Sequence, residues 1–195
     1  MLQAINSKIR DLQIRITLYS EVRAYEELYK LLFIELNRYS YSFTKSNECA
    51  EEVVSDVFIK LWKVRMQLRE INNLRKYLYT ATKNYSLNYI LKTSKKQVVE
   101  LDEIIIDTRA SVTNNSPEDI YITNELMNNI KRVIQELPPQ CQQIFQLVRE
   151  DGLKYKEVAS ILNISPCTVR NQMVIAIRKI SCALMLTNDL SFSKS

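Results

Sequence analysis

The sequence predicts an all-α protein made of two small helical domains. Three observations lead there. The 195 residues contain a single Gly and only four Pro, which suits long helices and disfavours sandwiches, barrels and Gly-rich phosphate loops. Apolar residues, 46% of the chain, recur at three- and four-residue steps, as amphipathic helices require. A polar, acidic stretch then divides the helical segments into two groups, and the length accommodates two small domains.

Residues 20 to 38 read as the first helix, capped by Ser20, with Val22, Tyr25, Tyr29, Leu32, Phe33 and Leu36 on one face. Tyr39 to Asn47 is a short polar loop. A second helix is expected from Glu48 to Leu68 with Asn47 as its cap; Ala50, Val53, Val54, Val57, Phe58, Leu61 and Trp62 form its stripe. A third runs from Asn73 to Lys92 with Leu74, Tyr77, Leu78, Ala81 and Tyr85 inward. Three such helices with short connections bury their stripes only against one another, so residues 1–94 form one bundle. Residues 95–115 read as an interdomain linker, too long for a structureless loop within a compact domain.

The second domain, 116–186, opens with Ser116 as cap, Pro117 in the first turn and Asp119 completing a capping-box-like pattern. That helix stops at Leu137-Pro138-Pro139, and another covers Pro139 to Arg149. After the turn Asp151-Gly152, a short helix spans Lys156 to Leu162. Asn163-Ile164 makes a tight turn, and Ser165 caps a last helix reaching Cys182 with Pro166 in its first turn. Residues 187–195 are a polar tail.

Net charge is +5, a mild excess of 27 basic over 22 acidic residues. From Gln97 to Asp119 the chain carries Glu100, Asp102, Glu103, Asp107, Glu118 and Asp119 against Arg109 alone, so the remainder is more basic than the sum suggests. The sequence has no histidine, and Cys49, Cys141, Cys167 and Cys182 are widely spaced, so neither a zinc pattern nor another cofactor site is expected. Without histidine and without a nucleophile-base pattern, enzymatic activity is not expected. The N-terminal segment has no long apolar run, Ile14 to Leu18 being broken by Arg15 and Thr17, so neither a signal peptide nor a membrane span is expected there.

The stretch LKYKEVASILNISPCTVRNQMVIAI (153–177) has the layout of a DNA-reading helix-turn-helix. Val158, Ala159 and Leu162 pack against Ile164, Val169 and Met173, and the small Ala159 permits a close crossing. Ser165 satisfies the free amides at the start of the second helix. With Val169, Met173, Ala176, Ile177 and Ile180 inward, the opposite face presents Cys167, Arg170, Asn171, Val174 and Arg178. Arg170 suits guanine, Asn171 suits adenine or a phosphate, and Lys154, Lys156 and Thr168 suit the backbone. The same spacing also fits a plain helical hairpin with a solvated polar face.

With both domains placed, the chain resembles the extracytoplasmic-function group of bacterial sigma-70 family RNA polymerase sigma factors. ECAEEVVSDVFIKLW (48–62) is similar to the core-binding helix of region 2, and INNLRKYLYTATKNYSLNYIL (71–91) to the helix that handles the −10 element. LPPQCQQIFQLVREDGLKYKEVASILNISPCTVRNQMVIAIRKI (137–180) is similar to region 4, which reads the −35 element. The resemblance implies an alternative sigma factor that binds core RNA polymerase and promoter DNA, melts DNA around −10 and is held by an anti-sigma factor. It implies a cytoplasmic protein, nucleoid-associated when on polymerase or kept at the membrane by that antagonist.

Residue by residue, it assigns Asp56, Ile59, Lys60 and Lys63 to core polymerase. Met66, Arg69, Asn72 and Asn73 would line a pocket for a base flipped from the −10 strand. Arg75, Lys76, Lys83, Asn84, Asn88 and Lys92 would hold that strand, with Tyr79 or Tyr85 stacking on a base unless it belongs to the core. For −35 it assigns Lys154, Lys156, Ser165, Cys167, Thr168, Arg170, Asn171, Val174 and Arg178. The chain departs from the family where Tyr89, Ile90 and Leu91 replace arginines, and where Pro166, Cys167 and Gln172 stand in the last helix. Alternatives are a helix-turn-helix regulator independent of polymerase and a sigma-mimicking interaction protein.

Overall fold

A computed structural model describes residues 2–96 and 119–192, with side chains described over 4–93 and 127–184. Among the described residues the regular structure is entirely helical, and the helices fall into two units.

The first unit contains α1 (Leu2–Tyr19), α2 (Val22–Thr44), α3 (Asn47–Lys63) and α4 (Leu74–Lys96). A 3₁₀ segment, Arg65–Glu70, joins α3 to α4. Helix α2 is the hub and packs on α1, α3 and α4. Its Ala24, Leu28, Leu32 and Leu36 repeat every four residues and are fully buried. The period continues through Tyr39 and Ser40, so α2 runs on to Thr44 where a loop was expected from Tyr39. It ends at Lys45, left-handed at φ 57°, and Ser46, not Asn47, caps α3 by accepting from the Cys49 amide at 3.3 Å.

Helix α1 was not expected from the sequence as a helix. Ile9, Leu12 and Ile16 recur at three and four residues and are buried, completing the bundle. Helix α3 stops at Lys63, five residues before its expected end, because Leu68 turns inward against α1 in the 3₁₀ segment. Asn73 caps α4, its Oδ1 accepting from the Lys76 amide at 2.9 Å. The inward tyrosine of α4 is Tyr79, fully buried; Tyr77, expected inward, is on the exposed face. A one-residue shift in the buried arc of α4, toward Leu74, Leu78, Tyr79, Thr82 and Ser86, accounts for that exchange.

The second unit contains α5 (Asp119–Gln135), α6 (Pro139–Phe145), α7 (Tyr155–Leu162) and α8 (Pro166–Phe192). The linker expectation and the Ser116-Pro117 cap lie mostly or wholly outside the described residues. Pro139 occupies the first turn of α6, as expected. Helix α6 continues into a widened turn at Gln146–Glu150, and Gly152, at φ 65°, reverses the chain so that the Leu153 amide reaches the Leu147 carbonyl at 2.9 Å. Leu137, Cys141 and Ala176 form a core cluster with Ile134 and Phe145 packed on it, joining α5 and α6 to α8. Helix α8 extends through Phe192, beyond the expected end at Cys182 and into the segment read as a tail.

Candidate nucleic-acid interface

The α7–α8 corner is built by local rules. Glu157 reaches back to accept from the Lys154 amide at 2.8 Å, closing the start of α7. Asn163 turns left-handed at φ 61°, a conformation asparagine tolerates better than most residues, and the Ile164 amide returns to the Ala159 carbonyl at 2.9 Å. Ser165 Oγ then accepts from the Thr168 amide at 2.9 Å, while Pro166 enters the first turn of α8. Val158, Ala159, Val169, Met173 and Ala176 are buried.

That burial leaves the outer face of α8 to Cys167, Arg170, Asn171, Val174 and Arg178, all exposed, with Lys154 and Lys156 exposed at the start of α7. Thr168 is half-buried, and its hydroxyl shares a hydrogen bond with Ser165 Oγ at 2.9 Å. Among the described residues no acidic side chain pairs with Arg170 or Arg178. Ile177, expected inward, is 40% exposed, because Ala176 takes the inward position and the next residue lies 100° away.

In the first unit, Asp56, Ile59, Lys60 and Lys63 share the exposed side of α3. Beside Ile59 lies an apolar groove of about 240 Å³ lined by Tyr25, Tyr29 and Phe58. Tyr25 donates to the Phe58 carbonyl at 2.8 Å, and burial pushes its phenol up to about 12. Trp62 packs on Tyr25 with ring centroids 4.9 Å apart and carries the Arg65 guanidinium 4.7 Å above its face. Asn84, Asn88 and Lys92 are exposed along α4; Lys76 lies half-buried in its first turn, and Lys83 precedes Asn84. Between the first and last of these, Tyr89 meets Cys49 at 3.4 Å, a hydrogen bond that helps hold its phenol at about 12.

Two family profiles match the chain. "Sigma-70 region 2" covers residues 25–96 and "Sigma-70, region 4" covers 127–180. The chain belongs to the sigma-70 family.

Within it, the chain is 23% identical over 146 residues to the ECF RNA polymerase sigma factor SigM of Bacillus subtilis, covering 75% of this chain and 86% of that one. It is 25% identical over 128 residues to the ECF RNA polymerase sigma-E factor of Escherichia coli K12, covering 63% and 66%. Its fold is like that of the sigma factor RpoE solved with the anti-sigma factor NepR from Bartonella quintana, at TM-score 0.60 and 17% identity, over 82% of this chain and 96% of that one. These relatives identify it as an extracytoplasmic-function sigma factor. Region 2 thus comprises α2 to α4, and region 4 runs from within α5 into α8.

The region 2 geometry corrects two assignments. Arg75 is 3% exposed, and its Nη2 donates to Glu35 Oε2 of α2 at 2.7 Å. Tyr79 is fully buried, and its hydroxyl donates to the same oxygen at 3.3 Å. A guanidinium and a ring enclosed by α2 are not available to a DNA strand; both fasten α4 to α2. Asn73 is exposed but its side chain is committed to the α4 cap.

Of the residues expected to line a base pocket, Arg69 and Asn72 line a cavity of about 400 Å³ together with Ile71. Met66, 65% exposed, and Asn73 are not among its lining residues. The opposite wall is α1, through Arg10, Gln13 and Ile14, which sequence reasoning missed. The signal that could have found that wall is the heptad-like run Ile5, Ile9, Leu12, Ile16 preceding the family match.

Proposed function

We propose that this extracytoplasmic-function sigma factor binds core RNA polymerase and directs it to promoters, its first unit engaging the −10 element and its second the −35 element. The single observation that carries the reading is that region 2 and region 4 occur in that order on one chain, each with an exposed polar face left by its own packing. A regulator independent of polymerase has no use for the exposed Asp56-Ile59-Lys60-Lys63 side of α3, which we assign to core polymerase.

At −35, Arg170 and Asn171 read base edges, and Lys154, Lys156 and Arg178 hold phosphates. Cys167 and Val174 supply apolar contact, which suits a thymine methyl group. Each good bidentate contact discriminates by on the order of 1 to 3 kcal/mol. At −10, Lys76, Lys83, Asn84, Asn88 and Lys92 follow the separated strand, and Arg69 and Asn72 take an extruded base. The domain limits that fit these roles are 1–94 and 116–186.

The RpoE structure contains an anti-sigma factor, and the apolar groove between α2 and α3 supports the same class of partner here. No helix among the described residues is long and apolar enough to cross a membrane. Action in the cytoplasm, with any membrane attachment supplied by the antagonist, fits this.

Run-off transcription on genomic fragments, with core polymerase and with or without this protein, tests the reading. Discrete transcripts that require the protein support it; DNA binding with no effect on initiation refutes it.

A further inference from the structure

We propose that α1 forms half of the −10 base pocket, with Arg10 and Ile14 in contact with the captured nucleotide and Gln13 positioning the loop that completes it. The inference rests on the −10 reading above and extends it to a helix that lies wholly before the region 2 match, which begins at residue 25.

The cavity itself makes the case. At about 400 Å³ it lies near the lower end of the range, roughly 300–1,000 Å³, typical of pockets that enclose a small ligand. Its walls combine aliphatic surface from Ile14, Leu18 and Ile71 with the Asn72 amide and two guanidinium groups, Arg10 from α1 and Arg69 from the loop. No acidic side chain lines it. A base swung out of a strand has two apolar faces, a hydrogen-bonding edge, and phosphates on either side. Aliphatic walls suit the faces, Asn72 suits the edge, and one arginine on each wall suits the phosphates. Extrusion costs a few kcal/mol of stacking, so a wall already in place favours capture over one that must be ordered.

Gln13 keeps that wall in place. It is 8% exposed, and its Nε2 donates to the Leu68 carbonyl at 2.6 Å and to the Ile71 carbonyl at 2.8 Å. These two carbonyls bracket Arg69 and immediately precede Asn72, so one amide fixes the stretch carrying both lining residues. Ser20 at the end of α1 adds a second tie, accepting from Arg65 Nε at 3.1 Å. The loop is therefore held to α1 by hydrogen bonds as well as by the buried Leu68.

The test uses holoenzyme reconstituted from the full chain and core polymerase, selecting promoter DNA with a randomised −10 tract. Ile14→Trp fills the cavity from a position already 47% exposed, so the core is not opened. It is expected to reduce base discrimination at one −10 position from about tenfold to less than about twofold, leaving the −35 preference unchanged. Gln13→Met, which keeps the volume but removes both donors, is expected to blur the same position. Arg10→Ala is expected to weaken single-strand binding about equally for all bases and to lower the slope of log affinity against log salt by about 0.7.

Asn72→Ala separates the possible failures. If it abolishes discrimination at one position while Ile14→Trp and Gln13→Met do not, the role of α1 is overturned and the loop pocket stands. If Asn72→Ala and Ile14→Trp both leave every position unchanged, the base-pocket reading itself is wrong. Should Ile14→Trp fail to fold, as judged by circular dichroism, the Arg10→Ala salt slope decides, and an unchanged slope refutes the proposal.

Discussion

Removing Glu35 should destabilise region 2 far more than removing both members of the pair to which it belongs. The Arg75 side chain is 4% exposed and that of Glu35 26%, so Glu35→Ala takes the carboxylate away from a nearly buried guanidinium and from the Tyr79 hydroxyl. Breaking a buried ion pair from one side costs about 3–5 kcal/mol. Because the Glu35 side reaches water, which then hydrates the vacated space, the lower end applies, about 3 kcal/mol. With a urea dependence of about 2 kcal/mol per M, the unfolding midpoint should fall by about 1.5 M. The double variant Glu35→Met/Arg75→Met replaces the pair with apolar volume and should cost under about 1 kcal/mol. Trp62, the only tryptophan, lies in α3 against Tyr25, so its fluorescence follows this unit and not region 4. A double variant as damaged as the sum of the single ones, or a Glu35→Ala loss under about 1 kcal/mol, refutes the reasoning. A tenfold loss of −10 strand affinity by folded Arg75→Met would refute the reassignment of that arginine from DNA to the bundle.

Ser165→Ala removes the acceptor for the Thr168 amide and should cost region 4 about 1 kcal/mol, read as a lower thermal midpoint by circular dichroism. Arg170→Ala should relax the base preference at one −35 position, whereas Arg178→Ala should weaken all sequences alike and lower the salt slope by about 1; titrations of holoenzyme on −35 variants distinguish the two. Tyr25 and Tyr89 both titrate near 12 in the folded chain, above the ordinary value of 10, so the folded state retains protons that the unfolded state has lost. Their contribution is complete below pH 10 and disappears as pH rises through 12; the urea midpoint should fall across that window, and less steeply in Tyr25→Phe/Tyr89→Phe.

Helix content and the division into two groups were legible because they depend on periodicity and punctuation, and those signals are local. Ser165, Pro139 and the Asp151-Gly152 turn announce themselves by chemistry that any neighbourhood would preserve. Burial within an arc was less legible. Tyr77 and Tyr79 are two residues apart on one helix, and only the position of α2 decides which ring goes inside. Arg75 looks like a DNA contact in sequence because it stands beside Lys76, and nothing local reveals the Glu35 carboxylate forty residues earlier that claims it. The α3 terminus was misplaced for a related reason: Leu68 continues the apolar rhythm, yet its partners are on α1, and reaching them requires the chain to leave the helix. The outward face of α8 was the more legible one because inward Val169, Met173 and Ala176 fix the outward residues by geometry alone.

The composition of the two faces bears on why the proposed reading uses both. On α8, Arg170 and Asn171 are the side chains able to make bidentate base contacts, while Cys167 and Val174 between them offer only apolar contact. At about 1 to 3 kcal/mol per good contact, region 4 alone gains a modest preference for its sequence, and cationic attraction alone distinguishes no sequence at all. Region 2 faces the same limit, since capturing a base must first offset the cost of unstacking it. Tethering changes this balance: once one unit is seated, the second binds from an effective concentration in the millimolar range, set by the connection between them and by the polymerase that holds both. Two weak readings then multiply, and a promoter lacking either element loses the whole gain. The isolated chain should accordingly bind promoter duplex weakly and with a steep salt dependence, whereas holoenzyme should discriminate by the product of the two preferences. A free chain as selective as holoenzyme would mean that one of the two faces carries base contacts beyond those proposed for Arg170, Asn171 and the α1-lined cavity.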